Sequence, residues 1–151
     1  MIRYFSDSDF LTVINIWQDA FLDNADWISS YLKEYKQNVL VYEEDKKIIA
    51  MVSILPILLN NKKGRYIYAL AVDKNNRNKG IGKKLVEYVK NNIKEDFLAL
   101  VPQEESLIKY YNNLGFFESE NKNEFSFFKK ENPEVFFELL NCKKFMYFSL
   151  K

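Results

Sequence analysis

The stretch that decides the fold is LAVDKNNRNKGIGKKLVEYV, residues 70–89. It starts as an apolar strand, passes through a polar turn and continues with apolar residues at helical spacing. Gly80 and Gly82 stand where the helix should begin, with one arginine and three lysines around them in residues 77–85. A helix start already carries partial positive charge and unsatisfied N–H groups, so cations there are unfavourable unless an anion joins them. The stretch therefore predicts a strand, an anion-binding loop and a helix.

The expected anion is a diphosphate. Gly80 and Gly82 have no side chain to hold a ligand away from the backbone, so the N–H groups from about Asn78 to Lys83 could wrap around a pyrophosphate. A glycine turn with solvated lysines is the alternative interpretation. The side chains that would add charge around the same anion are those of Arg77, Lys79, Lys83 and Lys84.

Two other phosphate-binding motifs match this loop poorly. A Walker A loop requires glycine at position 77 and serine or threonine at position 84, where the chain has Arg77 and Lys84. A dinucleotide-binding fingerprint requires a third glycine where Leu85 stands. We therefore expect neither a P-loop NTPase nor a dinucleotide-binding Rossmann fold.

Composition limits the class of protein. The 151 residues predict a single domain, 1–151, and 22 basic against 21 acidic residues argue against a general polyanion binder. The absence of histidine removes the commonest general base and metal ligand. The single cysteine, Cys142, predicts a reducing compartment, and with no leader pattern we expect the cytoplasm. The longest apolar run, 48–59, is too short to cross a membrane and predicts a buried strand.

Charge is distributed unevenly along the chain. Residues 1–45 hold nine acids and three bases, whereas residues 62–86 hold eight bases and one acid, Asp73. This segregation indicates either two ligands of opposite charge or simply two solvated faces.

Strand and helix patterns alternate along the chain, which predicts a mixed α/β sheet. The strand–loop–helix–strand segment from 64 to 101 predicts a right-handed crossover between two parallel strands that lie side by side or nearly so. The first predicted elements are a strand at 2–5, a helix with Phe10, Val13, Ile14, Trp17 and Phe21 on one face, a helix from about Asp26 to before Asn38, and a hairpin over 38–55 that turns at Glu44–Lys46. A strand at 64–73, a helix at 81–92, a strand at 97–101 and a helix at about 103–114 follow, the last with Glu104 and Glu105 in its first turn and Gly115 as its stop. The final predicted elements are a strand within 123–128, a short helix with Asn132 as cap and Pro133 at its first position, and a strand within 143–151.

The loop together with LIKYYNNLGFFE, residues 107–118, resembles the GNAT superfamily of acyl-CoA-dependent N-acyltransferases. The resemblance covers residues from about 66 to 118, with both main motifs of the family's acyl-CoA-binding core. It implies an α/β fold with a mixed, mostly antiparallel central sheet, helices on both faces and a V-shaped splay between two central parallel strands. It also implies acetyl-CoA as donor and transfer of the acetyl group to a primary amine by direct attack in a ternary complex.

The resemblance also implies residue roles. Backbone groups of Leu70, Ala71 and Val72 would pair with the pantetheine arm and help to polarise the thioester carbonyl. Tyr111 matches the family's usual general acid, which protonates the departing thiolate. Tyr111 also belongs to a possible buried helical stripe, so packing is the alternative for it. The cofactor-binding residues so implied are Leu70, Ala71, Val72, Arg77, Asn78, Lys79, Gly80, Ile81, Gly82 and Lys83.

Two positions depart from the family pattern. Glu104 stands where many members have an asparagine that contacts the cofactor arm, and Ala99 stands where some place a glutamate base. The general base therefore stays open. A water ordered by Tyr66 or Tyr68, or an acid from the first two helices, are the alternatives.

The acidic N-terminal third agrees with an amine as acyl acceptor, a small molecule or a peptide. In the family architecture the first two helices border the acceptor cleft, so these residues could face a cation. An ordinary acidic helix surface is the alternative, and the helical insertion near 132–141 could shape the cleft or a dimer contact. The candidate residues are Asp19, Asp23, Asp26, Trp27 and Tyr31.

Two other functions remain as alternatives. A non-catalytic acyl-CoA sensor would keep the loop, and the missing base favours it. A nucleic-acid-binding module would use the basic patch at 62–84, but the aromatic residues show no interleaved basic pattern, so it ranks third. We expect no nucleic acid, membrane or metal partner, and a homodimer is left open.

Overall fold

The fold is described from a computed structural model. It describes residues 1–59, 61–119 and 145–150, and the main chain of 125–126. The predicted short helix at Asn132, the insertion near 132–141 and Cys142 lie outside the described residues.

Four helices and eight strands occupy the described residues, joined by three short 3-10 turns at Asp7–Asp9, Lys36–Asn38 and Lys74–Asn76. The helices are α1 (Phe10–Phe21), α2 (Ala25–Tyr35), α3 (Ile81–Asn92) and α4 (Ser106–Asn113). The strands are β1 (Ile2–Tyr4), β2 (Val39–Glu44), β3 (Lys47–Leu59), β4 (Lys62–Val72), β5 (Phe97–Leu100), β6 (Phe117–Ser119), β7 (Phe125–Ser126) and β8 (Phe145–Ser149).

The sheet is mixed and mostly antiparallel, as expected. Its hydrogen-bonded order is β1-β2-β3-β4-β5-β8-β6, and β7 pairs with β3. Strands β4 and β5 run parallel, with Gly64 opposite Phe97 and Tyr66 opposite Ala99. The pairs β1–β2, β2–β3, β3–β7, β5–β8 and β6–β8 are antiparallel. The prediction that the strands flanking helix α3 are parallel neighbours is confirmed.

The chain forms two compact units. The first contains Met1–Ile54 and Ala69–Asn92, and the second contains Leu55–Tyr68 and Ile93–Lys151. The expectation of one domain over 1–151 stays a prediction.

Helix α1 follows part of its predicted apolar stripe, since Phe10 and Phe21 are only partly buried. Helix α1 buries Val13, Ile14, Ile16 and Trp17. In the turn just before it, the Asp9 carboxylate accepts the Ser6 amide at 2.8 Å. Helix α2 begins one residue before the predicted Asp26, where the Asn24 side chain accepts the amides of Asp26 and Trp27.

A tight turn joins β2 to β3 within the first unit, where the sequence predicted a hairpin. Asp45 and Lys46 both adopt left-handed backbone, with φ of 50° and 64°, and Glu44 pairs with Lys47 across the turn. Two successive left-handed residues between paired strands form the hairpin turn whose twist matches that of the strands.

A charged network ties β1 to α1 and β2. The Arg3 guanidinium donates to both oxygens of Asp9, at 2.8 and 2.9 Å, and to Glu43 at 3.2 Å. The Asp9 side chain is only 5 % exposed. Hydrogen bonds from Arg3 lower the pKa of Asp9, so the carboxylate stays ionised despite burial.

Close approach between neighbouring strands marks the second unit. All four residues of β5 are buried, and a Cβ placed on Gly64 would overlap the Phe97 ring. The Phe97 ring also stacks on Tyr147, with the ring centroids 5.2 Å apart and the rings nearly parallel. Gly64 is therefore required by packing.

Helix α4 begins later than predicted. The first α-helical residue is Ser106, whereas the sequence pattern placed the start near 103 with Glu104 and Glu105 in the first turn. These two residues instead precede the helix, and their carbonyls accept the amides of Leu107 and Ile108 at 3.0 and 3.1 Å. The predicted stop is confirmed, because Gly115 has φ of 95°.

Candidate functional site

The turn that follows strand β4 is organised by Asp73. Its amide donates to the carbonyl of Ile49 at 2.8 Å, and its carboxylate accepts the Asn75 amide and the Asn76 side chain at 3.2 and 3.0 Å. The turn Lys74–Asn76 is thereby closed on itself. Asp73, the one acid in the basic stretch, thus serves the turn.

Backbone conformation, more than side-chain charge, shapes the next residues. Asn78 and Gly80 have φ of 62° and 78°, a left-handed region that L side chains rarely adopt. A Cβ on Gly80 would meet nothing within 4 Å. Gly82 instead lies inside helix α3. The two glycines of the motif therefore differ, since Gly80 permits the turn and leaves open space beside it.

The first amides of helix α3 are available to a ligand. Lys84 donates to the Gly80 carbonyl at 3.1 Å, which closes the first helical turn. The amides of Ile81, Gly82 and Lys83 precede this first hydrogen bond of the helix, so no helix carbonyl is placed to accept them. Three successive N–H groups at a positive helix end suit a phosphate group.

Three lysines surround this helix start. Lys79, Lys83 and Lys84 are exposed, and none of them makes an ion pair with any residue in the described part of the chain. Their ammonium groups are accessible to an anion at the amides. The predicted role of Lys79 and Lys83 in cofactor binding agrees with this geometry and stays a prediction.

Arg77 differs from the lysines. Its Nε donates to the carbonyl of Val72 at 3.0 Å, and its Nη2 pairs with Asp19 of helix α1 at 3.2 Å. The sequence motif had grouped Arg77 with the cations around the diphosphate. In this structure its guanidinium is directed to the end of β4 and to α1, so contact with a diphosphate would require it to turn.

The end of β4 contains the predicted thioester-binding residues. Ala71 is buried, at 2 % exposure, while Leu70 and Val72 are partly exposed. The resolved pairing of β4 with β5 runs from Gly64 to Tyr66, and β4 continues for six residues beyond it to Val72. The proposed pantetheine pairing of these three residues stays a prediction.

Tyr111 lies on helix α4 in the second unit. It is 8 % exposed, and its ring packs edge-on against Tyr110 and Phe116, with centroids 5.1 and 5.8 Å apart. Burial, and then the neighbouring Tyr110, raise the pKa of Tyr111 above its ordinary value. The hydroxyl therefore remains protonated at neutral pH, as a proton donor must be.

The predicted amine-facing residues are largely engaged with the protein itself. Asp23 accepts the Trp17 indole N–H at 2.9 Å, and Tyr31 is buried with its hydroxyl 2.7 Å from that of Ser53. Asp19 is paired with Arg77. The Trp27 ring also packs on Trp17 and Tyr31, and Asp26 is exposed. The interpretation of all five as a cation-facing set stays a prediction.

The structure offers no replacement base at the two departures from the family pattern. Ala99 is fully buried on β5, and Glu104 is exposed ahead of α4. Among the described side chains, no three acids or cysteines gather closely enough to hold a metal ion. Within the described ranges, no helix has both the length and the apolar character needed to cross a membrane.

Sequence reasoning missed the partnership of Asp19 with Arg77. The two residues are 58 positions apart, and nothing in local spacing or periodicity brings them together. The only signal was the opposite charge of the two segments in which they lie.

A family model and solved structures both relate this chain to GNAT acetyltransferases. The sequence model of the family described as "Acetyltransferase (GNAT) family" matches residues 3–116 of this chain. No curated protein sequence matches the chain. An acetyltransferase of the GNAT family from Staphylococcus aureus superposes with a TM-score of 0.71 at 20 % identity, covering 100 % of this chain and 99 % of that one.

Two further solved structures have the same fold. The ribosomal-protein-S18-alanine N-acetyltransferase of Escherichia coli gives a TM-score of 0.69 at 15 % identity over 100 % of this chain and 94 % of that one. N-acetylglutamate synthase from Neisseria gonorrhoeae, complexed with coenzyme A and N-acetyl-glutamate, gives 0.74 at 14 % identity over 100 % of this chain. This chain spans only 35 % of the length of the synthase.

Proposed function

Because the chain belongs to the GNAT acetyltransferase family, we propose that it transfers the acetyl group of acetyl-CoA to a primary amine within one domain, 1–151. Acetyl-CoA is the acyl donor of this family. The observation that carries the proposal is the loop at Asn78–Lys83, which combines left-handed backbone, open space at Gly80 and three helix-start amides with no acceptor in the helix. Such a loop matches the diphosphate of coenzyme A.

The proposed reaction needs no covalent enzyme intermediate. The amine lone pair attacks the thioester carbonyl carbon, and the carbonyl oxygen becomes an oxyanion. Backbone groups at Leu70–Val72 would help to polarise that carbonyl. The C–S bond then breaks, the amine nitrogen loses a proton, and the thiolate of coenzyme A gains one. A chain without histidine is compatible with this route, since it requires no activated nucleophile.

Tyr111 is the proposed donor of the proton that the thiolate gains. Its hydroxyl is protonated at neutral pH, as that of an ordinary tyrosine is, and burial raises its pKa further. With its pKa raised, the tyrosine is a weaker acid than a thiol, so donation to the departing thiolate requires that the bound substrates lower the pKa of Tyr111. The alternative, that Tyr111 only packs against Tyr110 and Phe116, is tested below.

The test of the reaction is release of free thiol from acetyl-CoA over a panel of amines. We expect Tyr111→Phe to lower kcat by about 10²- to 10⁴-fold, the usual contribution of a positioned acid, with little change in the Kd of acetyl-CoA. Tyr110→Phe is the matched control, since this neighbouring ring is 37 % exposed, and it should leave kcat within about twofold of wild type.

Two outcomes would contradict this assignment. Equal and small effects of the two tyrosine variants would remove Tyr111 from the mechanism. Binding of acetyl-CoA without thiol release for any amine would favour the acyl-CoA sensor instead.

The acyl acceptor is proposed to be a small-molecule or peptide amine. The acidic N-terminal segment supports a cationic acceptor, and the exposed Asp26 offers a negative charge to it. One similar structure has N-acetyl-glutamate in its complex, which is consistent with an amino group as acceptor. The single cysteine supports a reducing compartment, and we propose the cytoplasm.

A further inference from the structure

Arg77 is held by two groups that lie away from the helix start. Its Nε donates to the Val72 carbonyl at 3.0 Å, and its Nη2 lies 3.2 Å from Oδ2 of Asp19. Asp19 belongs to helix α1 and Val72 ends strand β4. All three residues belong to the first compact unit.

This arrangement neutralises one of the cations expected to meet the cofactor. Lys79, Lys83 and Lys84 have no carboxylate partner among the described residues, whereas the guanidinium has one. Arg77 also occupies the carbonyl of Val72, a backbone group that was expected to pair with the pantetheine arm. Two groups predicted to bind the cofactor thus bind each other.

We propose that Asp19 competes with the diphosphate of acetyl-CoA for Arg77, and that this competition lowers the affinity for the cofactor. The proposal rests on the proposed function, in which the diphosphate lies at Asn78–Lys83. A diphosphate carries more charge than a carboxylate and offers several oxygens to the guanidinium fork. Arg77 therefore turns from Asp19 to the diphosphate when the cofactor binds. Asp19 acts through Arg77 and is a positioning residue.

The exposure of the pair suits an exchange. The Arg77 and Asp19 side chains are 43 % and 46 % exposed, so water screens their attraction and replaces it easily. Exposed pairs of this kind are broken at small cost, and the gain from removing the competitor should be correspondingly modest. A pair that holds Arg77 in its binding position would give the opposite sign, because loss of Asp19 would then weaken binding.

The experiment is a calorimetric titration of coenzyme A into wild type, Asp19→Asn and Glu34→Gln at low salt. Glu34 is an exposed acid on α2, and its variant makes the same change in net charge. We expect Asp19→Asn to lower the Kd by about two- to fivefold, the range for an exposed ion pair, and Glu34→Gln to leave it nearly unchanged. The gain should fade at 0.5 M NaCl, a salt concentration at which exposed charges are screened over distances of about 4 Å.

Two further titrations show where the gain arises. In an Arg77→Gln background, Asp19→Asn should give no gain, because the residue competed for is missing. With pantetheine, which lacks the diphosphate, wild type and Asp19→Asn should bind equally. An equal gain for pantetheine would overturn the proposal, since Asp19 would then act through the Val72 carbonyl.

The result for wild type separates the two proposals. If wild type shows no heat with coenzyme A, the proposed function fails. If wild type binds and Asp19→Asn binds equally or more weakly, the proposed function stands and the competition by Asp19 is wrong.

Discussion

Two glycines, one in strand β4 and one in the loop after it, are required for opposite reasons. Gly64 is required by a neighbour, because a Cβ there would overlap the Phe97 ring. Gly80 is required by conformation, since its φ is 78°, and the space where a Cβ would project is empty. Packing explains the first glycine fully. Packing does not explain the second, whose exposed backbone lies open beside the first amides of helix α3, where an anion can approach.

The sharpest way to test this difference is Gly80→Glu. A left-handed non-glycine residue costs about 1–2 kcal/mol, and the carboxylate would project toward the expected diphosphate. We expect the Kd for coenzyme A to rise on the order of 100-fold, which is more than the conformational cost alone would explain. Calorimetry gives the affinity, and thermal unfolding gives the change in stability.

Gly80→Asn is the control for that variant. Asparagine tolerates left-handed backbone, as Asn78 does two residues earlier at φ of 62°, and it adds no negative charge. It should weaken binding much less than glutamate does. Unaltered binding in Gly80→Glu would contradict the assignment of the loop to a diphosphate.

The complementary variant is Gly64→Ala. Overpacking against Phe97 should lower the free energy of unfolding by about 1–3 kcal/mol, measured by urea denaturation, while the Kd for coenzyme A stays within about twofold of wild type. Phe97→Leu in the same chain should recover part of the stability, because it makes room for the added methyl group. If Gly64→Ala kept full stability but bound coenzyme A much more weakly, Gly64 would serve ligand binding and the contrast with Gly80 would be wrong.

Asp9→Asn, with an expected loss of stability no larger than that of Gly64→Ala, tests whether a change in the first unit can alter stability without altering binding. Asp9→Asn removes the carboxylate that Arg3 holds, and since Arg3 is 28 % exposed the loss should be about 1–3 kcal/mol. The pKa of Asp9 is lowered in the folded state. The ionised group therefore contributes fully above its ordinary pKa of 3.8, and the contribution is lost as the pH falls through the lower folded value.

The measurement for Asp9 is the pH dependence of the free energy of unfolding from pH 6 to pH 2. Wild type should lose more stability over that range than Asp9→Asn does. The affinity for coenzyme A at pH 7 should be similar in both. Parallel pH profiles would show that the network with Arg3 makes no linked contribution.

Periodic features of the fold were predictable from sequence, and long-range ones were not. Helices α1 and α3 and the β2–β3 hairpin repeat apolar residues at the period of their own structure. The bounds of α3 agree with the prediction, whereas strand β3 continues to Leu59, four residues beyond the predicted end of the hairpin. The start of α4 was misplaced because Glu104 and Glu105 suit a helix start by charge alone. Both residues instead lie in the turn before Ser106.

The candidate site shows the same division. The loop at Asn78–Lys83 was predictable because its glycines and lysines are adjacent in sequence. The engagement of Asp19 by Arg77 and of Tyr31 by Ser53 depends on contacts between residues distant in sequence, and that of Asp23 by Trp17 on the turn between α1 and α2. Charge and the family architecture had grouped these residues into a cation-facing surface.

The central claim is that the helix-start amides bind the diphosphate of coenzyme A, and amide NMR tests it most directly. A ¹H–¹⁵N spectrum of the 18.0 kDa chain should be recorded as coenzyme A is added, and again with inorganic diphosphate. We expect the amides of Asn78–Lys83 to shift most with both ligands, and diphosphate to compete with coenzyme A. Large shifts confined to other residues, with these six amides unmoved, would contradict the account.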